Sequence, residues 1–452
     1  MVIRLARAAA LACLALSLIV AAAAPARPQG MSLIRDAEIE NTIRAHAAPL
    51  LEAAGLGEDA VRLHIVSDPN INAFVAGGPN LFLSTGMLTA AEDPGEIIGV
   101  LAHEIGHIAG GHLVRTRDAM ENASAEMILA TVLAAGAIIA GEGEVGSAII
   151  SGGQAMAQQS FLRYSRAQEQ SADQAAVKLL DRTGQSAAGL LRMFQRLQER
   201  ERLSISEASG YARTHPLTRE RIRFIRDHVE GEGRTAGGTP DAQRAAHRRM
   251  VAKLKGFLDP PEETLRAYPD EDQSTEARYA RAIAYYRIPD LERALAALGA
   301  VLADHPDDPW FHELEGQVLF ENGRVREAIA PYERAVALKG DAALLRLGLA
   351  RAQIEIGDAA SLASAIENLE AATRLEPKAP QNWYQLGIAR GRAGERAASS
   401  LAFAEAAYLR GDAERAHHHA TDAAENLPHG SAGWLRAEDI LNATKIAAGK
   451  RR

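Results

Sequence analysis

IIGVLAHEIGHIAGGHL, residues Ile97 to Leu113, carries His103, Glu104 and His107 in the order H-E-x-x-H. Positions i and i+4 of a helix share one face, so both imidazoles can meet one metal ion with Glu104 one step around the helix. That is an arrangement for metal-assisted peptide hydrolysis. Asp93-Pro94-Gly95-Glu96 just upstream supplies a cap, a proline at the first helical position and a carboxylate three residues after the cap. Apolar Ile97, Ile98, Val100, Leu101, Ile105 and Ile108 then predict a largely buried helix. The competing reading makes His103 and His107 ordinary core histidines. Two imidazoles and a carboxylate on an apolar segment are costly to bury without partners, and a metal is the most economical partner.

Upstream, Arg4 and Arg7 precede an uninterrupted apolar run from Ala8 to Ala24 and then small residues around Ala24-Pro25-Ala26. This reads as a secretory signal peptide over residues 1–26, against the alternative of an uncleaved membrane anchor; alanine dominance and the A-x-A-like end favour cleavage. The single cysteine, Cys13, lies inside that run, so the mature chain has neither disulfide nor thiolate site. A chain of 452 residues has room for about three domains with ample cores. Its 58 acidic residues against 50 Lys and Arg give a net charge of −8 with no basic tract, which excludes a nucleic-acid partner.

Leu33, Ile34, Ile39, Ile43, Ala47, Leu50 and Leu51 recur at helical spacing, predicting a helix from Ser32 to Ala54. Strand-like runs follow at Val61–Val66, Asn72–Ala76 and Asn80–Ser84, the last two flanking the turn Gly77-Gly78-Pro79. A small sheet therefore precedes the metal helix. An edge strand beside such a helix can pair with an extended substrate, and Asn80–Ser84 or Asn72–Val75 are the candidates, each equally readable as a plain structural hairpin. Met127–Ala140 is apolar but short for a bilayer span, and reads as a buried hairpin, a flap over the cleft or a peripheral membrane contact.

A catalytic zinc keeps three protein ligands and one open position, so the motif needs a third donor. In the segment Tyr164 to Gly184, Ser165 opens a helix on which Glu169 and Asp173 share a face at i and i+4. Glu169 is a candidate ligand and Asp173 a candidate partner for the outer ring N–H of a ligand histidine. By spacing alone the pair is equally a solvated helix face.

Taken in order, NAFVAGGPNLFLSTGML, LAHEIGHIAGGH, SRAQEQSAD and RTHPLTRERI resemble the zinc metallopeptidase family that includes the CAAX prenyl proteases and the bacterial heat-shock membrane protease. The resemblance covers roughly residues 32 to 230. It implies an α+β zincin-like fold, mostly helical with a small sheet. It also implies one Zn2+ held by His103, His107 and Glu169, with Glu104 as the base, since the family's S-R-x-x-E-x-x-A-D matches Ser165, Arg166, Glu169, Ala172 and Asp173. In soluble periplasmic members the residue matching His215, which here precedes Pro216, can occupy zinc's open position and hold the enzyme inactive; a capping role in a surface loop is the alternative. Arg219 and Arg221 are placed to pair with carboxylates or orient substrate. On a continuing helix His112 points off the ligand face, with second-shell duty as its alternative.

Beyond Thr275 small residues recur at tetratricopeptide intervals. Gly316, Gly323, Ala328 and Ala335 mark one copy, and Trp383, Leu386, Gly387, Gly394, Phe403 and Ala406 another. Further copies run through Ala282 and Ala294, Gly348 and Ala365, and Gly411 and Ala416. The prediction is an all-α solenoid over 271–445, joined through a helical connector at 236–270 to a peptidase domain at 27–235. His417-His418-His419 is expected on a solvated helix face. The combination resembles the soluble periplasmic branch of the family. It implies a zinc endopeptidase with chaperone character, unfolded outer-membrane proteins as substrates and their assembly machinery as a partner of the repeats. The alternative is a repeat adaptor whose metal site stays plugged.

Overall fold

The computed structural model describes residues 31–113, 115, 165–203, 210–232 and 239–449. The expected signal peptide, Cys13 and the run Met127–Ala140 lie outside them. From Ile34 onward the chain forms one compact unit, mostly helical with a small sheet.

Helix α1 (Ala37–Ala53) starts later than its apolar pattern predicts. Asp36 is extended and its carboxylate accepts from the Ile39 amide at 2.9 Å, which caps the helix there and leaves Leu33–Ile34 as a short strand β1. Strands β2 (Arg62–Val66), β3 (Ala73–Val75) and β4 (Asn80–Ser84) complete a sheet in the order β1-β2-β4-β3. β2 runs parallel to β4 with Arg62 opposite Asn80; β3 returns antiparallel to β4 through Gly77 and Gly78, both at positive φ. Of the two candidate edges, Asn80–Ser84 is thus an interior strand. Its Leu81 and Leu83 are fully buried and need neighbours on both sides, whereas Phe74 and Val75 remain half-buried at the sheet's end.

Helix α2 (Thr85–Ala90) leads to α3 (Pro94–Ala109), whose cap Asp93 accepts from the Gly95 amide at 2.9 Å. Residues 165–182 form α4. A Cβ on Gly106 would stand 3.0 Å from the Ala172 carbonyl oxygen, so the glycine inside H-E-x-x-H lets α3 and α4 cross almost backbone to backbone. That crossing sets His103 and His107 against Glu169 and Asp173. α5 (Ala188–Leu203) packs on α3 one heptad earlier, where a Cβ on Gly99 would meet Leu190, and α6 (Gly210–Thr214) and α7 (Arg219–Glu232) follow, α7 packing on α5. Strand β3 lies against α3 and α6.

Helix α8 (Asp241–Leu258) and α9 (Pro261–Ala267) lead into ten further helices from α10 (Thr275–Arg287) to α19 (Ala432–Gly449). Each packs on the next, as tetratricopeptide helices do. The small residues do the expected work: a Cβ on Gly316 would meet the Tyr332 ring at 2.7 Å, and one on Gly387 the Phe403 ring at 2.8 Å.

The solenoid docks on the peptidase domain. Ala37 of α1 packs with Trp310, Ala335 and Leu345 of the repeats. Beside them Glu38, fully buried, is held by Arg249, by Lys253 Nζ at 3.3 Å and by the Tyr279 hydroxyl, which donates at 2.9 Å. Arg249 also pairs with Asp308, and Lys253 Nζ lies 2.8 Å from Asp36 and 3.5 Å from Glu313. Among the described residues, no helix is long and apolar enough to cross a membrane.

Candidate metal centre

His103 and His107, one turn apart on α3, turn their Nε2 atoms toward each other at 3.1 Å. Across the helix crossing, Glu169 Oε2 is 3.4 Å from His103 Nε2 and Glu169 Oε1 is 3.4 Å from His107 Nε2. His215, carried on the backbone that follows α6, brings its Nδ1 within 3.0 Å of Glu169 Oε1 and 3.4 Å of His103 Nε2. One ligand atom from each of these four buried residues lies within 4.8 Å of all the others, a group that can hold a metal ion.

Around this group, the outer ring atom of His103, Nδ1, is 3.0 Å from Asp173 Oδ1. Arg221, almost fully buried, donates from Nε and Nη2 to Asp173 at 2.6 and 2.8 Å. Its Nη1 stands 2.7 Å from Glu169 Oε2 and donates to the Pro216 carbonyl at 3.0 Å. One guanidinium therefore ties α4 to the backbone that presents His215. The phenol ring of Tyr211, one helical turn before His215, stacks on it with centroids 4.7 Å apart.

Glu104 is also fully buried, and neither of its carboxylate oxygens has a hydrogen-bond partner; His215 Nε2 approaches one of them at 3.4 Å. Burial pushes the Glu104 carboxyl above its usual range. Burial acts on Glu169 in the same direction, but hydrogen bonds and charge from His103 and His215 outweigh it and hold that carboxyl well below. Asp173 is lowered too, Arg221 outweighing burial. Burial alone would depress His103, yet Asp173 and Glu169 raise it to about 9. Once the imidazoles give up their protons, as holding a metal requires, three carboxylates, Glu104, Glu169 and Asp173, face one permanent cation, Arg221, a balance of −3 + 1 = −2. A divalent cation fits both this charge and the donor set.

The structure thus brings His103, Glu104, His107, Glu169, Asp173 and His215 into one cluster. His112 departs from its expected position: α3 ends at Ala109 and Gly111 at φ +63° turns the chain back, so its ring folds onto His107 rather than off the helix. The linking role of Arg221 and the contact of Tyr211 exceed what the sequence reading assigned; helical spacing of Tyr211 to His215 was the available signal. Among the described residues, His417–His419 form no metal group; His417 Nδ1 is 3.0 Å from the Thr444 hydroxyl and His418 is exposed.

Residues 34–229 match the model of peptidase family M48, and residues 279–343 and 313–361 match a tetratricopeptide repeat model. The chain is 26% identical over 408 residues to the beta-barrel assembly-enhancing protease of Yersinia pestis, covering 88% of this chain and 82% of that one. With the protein of the same name from Escherichia coli (strain K12) it shares 24% over 330 residues, covering 72% and 67%. Metalloprotease YcaL of the same strain is 30% identical over 178 residues, covering 37% and 61%. Residues 34–229 therefore carry a metalloprotease domain of the M48 peptidase type, and tetratricopeptide repeats follow it.

Proposed function

We propose that this is a periplasmic zinc endopeptidase, exported by the segment 1–26, that acts on unfolded or stalled outer-membrane proteins and meets their assembly machinery through its repeats. The observation that carries the catalytic part is the convergence of His103, His107 and Glu169 beside a buried Glu104 whose carboxylate oxygens have no hydrogen-bond partner. His103, His107 and Glu169 would hold the ion, and Asp173 orients His103 through Nδ1. When bound, zinc polarises the scissile carbonyl and makes water acidic enough to attack at neutral pH. Glu104 takes the proton of the attacking water and passes it to the leaving amine. Burial suits it to the first half of that exchange, because a carboxylate whose charged form is disfavoured takes a proton from water more readily than an exposed one.

The end strand β3 lies against α3 and α6, with no further strand beyond it among the described residues. An extended segment of an unfolded client added there gains main-chain hydrogen bonds with little sequence preference. The printed names of two relatives concern beta-barrel assembly, which supports barrel segments as clients. Peptidase, connector and repeats are assigned to 27–235, 236–270 and 271–445.

His215 supports a second reading within the same site. Its Nδ1 sits in the donor group and its Nε2 faces Glu104, so it is placed to fill the open position and hold activity low. Cleavage of casein and of an unfolded porin by wild type, Glu104→Gln and His215→Ala, with zinc content measured for each, tests both. The expected result is zinc in all three, loss of cleavage by about a hundredfold or more in Glu104→Gln, and faster cleavage in His215→Ala. If all three bind client and none cleaves it, a repeat adaptor with a plugged metal site replaces the protease reading.

A further inference from the structure

We propose that His112 is a positioning residue for the metal centre, fixing the tautomer and ring orientation of His107; this rests on the reading of His107 as a ligand. His107 directs Nε2 into the donor group, which leaves Nδ1 as its outer atom. His112 Nδ1 lies 3.0 Å from that atom, with the two rings edge to face at 82°. Two ring nitrogens at that distance share one proton. Since Nε2 of His107 must be free of a proton to bind a cation, Nδ1 of His107 carries the N–H and donates it, and His112 is the acceptor, protonated on its own Nε2.

The chain is built locally to make this contact. Helix α3 stops at Ala109, and Gly111 in the left-handed region reverses the backbone. Gly110 lies so near the His112 ring that a Cβ would stand 2.5 Å from its Nε2 and 2.8 Å from Cδ2. Gln168, next to Glu169 on α4, donates from Nε2 to the His112 carbonyl at 3.1 Å. The turn is therefore gripped by the helix that supplies the third donor. The two histidines of the motif have different outer partners: a carboxylate, Asp173, for His103 and an imidazole, His112, for His107. An imidazole orients its partner without adding a further negative charge to a site that already carries three carboxylates.

The test is zinc affinity by chelator competition on the full chain, with the thermal midpoint of the zinc-free protein recorded beside it. His112→Ala should weaken zinc binding by about 10–100-fold, and His112→Asn, whose amide oxygen can stand where Nδ1 stands, should restore most of it. Gly110→Ala leaves the ring chemistry intact, keeps an ordinary helical φ and pushes the ring aside; it should weaken zinc as His112→Ala does, and it decides the matter if His112→Ala does not fold. Should wild type bind no zinc, or His107→Ala bind it as tightly as wild type, the metal reading falls and this inference with it. If wild type binds zinc and His107→Ala does not, while His112→Ala and Gly110→Ala match wild type, only the positioning role is overturned. A drop in the zinc-free midpoint with unchanged zinc affinity also overturns it, because packing alone would produce that pattern.

Discussion

Two buried charge clusters divide this molecule, and they solve the same electrostatic problem in opposite ways. At the metal centre, Glu104, Glu169 and Asp173 face Arg221, and Glu104 is left with no hydrogen-bond partner for either oxygen. At the junction between peptidase and repeats, Asp36, Glu38, Asp308 and Glu313 face Arg249 and Lys253, and every carboxylate has a cation beside it. Both carry two more carboxylates than fixed cations, counting 3 − 1 and 4 − 2. The first leaves a donor group that could hold a cation from outside the chain; the second is completed from within, by Tyr279 donating to Glu38 and by a carboxyl, Glu313, raised by burial to about 7. One is an open site and the other a closed joint.

The same change, Glu to Gln, should therefore have opposite signs in the two places. Glu38→Gln removes the one fully buried charge that Arg249 and Lys253 share, and leaves Arg249 with Asp308 and Lys253 with Asp36 and Glu313. Since both cations keep a carboxylate, the cost should stay below that of an uncompensated buried charge, at about 1–3 kcal/mol for the charged hydrogen bonds lost. The expected outcome is a fall of that size in unfolding free energy by denaturant titration, equal with and without zinc, and a looser attachment of repeats to peptidase in limited proteolysis. Unchanged stability would mean that the junction is no joint at all.

These clusters also differ in how far the sequence disclosed them. H-E-x-x-H lies within one helix, where an i to i+4 spacing alone sets both imidazoles on one face. Glu169 was legible only through the resemblance carried by Ser165-Arg166 and Asp173, since a Glu and an Asp one turn apart are as often a solvated face. The junction was not legible. Asp36 and Glu313 are far apart in the chain, and nothing local distinguishes Lys253, fully enclosed, from the lysines of any charged helix. The choice between the two candidate edges stayed open for a related reason: a hairpin is a local signal, but the parallel partner that makes Asn80–Ser84 interior arrives through a crossover from Arg62–Val66. The repeats were readable as repeats because their small residues recur, and their docking was not because it is made once.

Glu104→Gln, the mirror of the first substitution, should raise the stability of the zinc-free protein. The carboxylate is fully buried with no hydrogen-bond partner, and burial disfavours its charged form. Removing the charge at constant shape should gain on the order of 1 kcal/mol, because the amide that replaces it stays buried without a partner. Denaturant titration after chelation checks it, and a loss instead would show that the two clusters are alike. Sites that hold a reactive group unpartnered are less stable than they could be, and regain stability when the group is removed.

The smallest effect concerns the proton that completes the joint. Glu313 is raised from 4.5 to about 7, first by burial, against the pull of Lys253. A carboxyl raised on folding binds more protons in the folded state than in the unfolded one between those two values. Stability contributed by this group is therefore present at and below pH 4.5 and declines as pH rises through about 7. Glu313→Gln keeps the uncharged shape at every pH, so the variant should match wild type near pH 5 and exceed it at pH 8 by on the order of 1 kcal/mol. Thermal midpoints of both proteins across that range, measured after chelation so that the metal centre contributes equally, provide the comparison. A parallel decline in both would place the titrating proton elsewhere, and the junction would then hold four charged carboxylates against two cations.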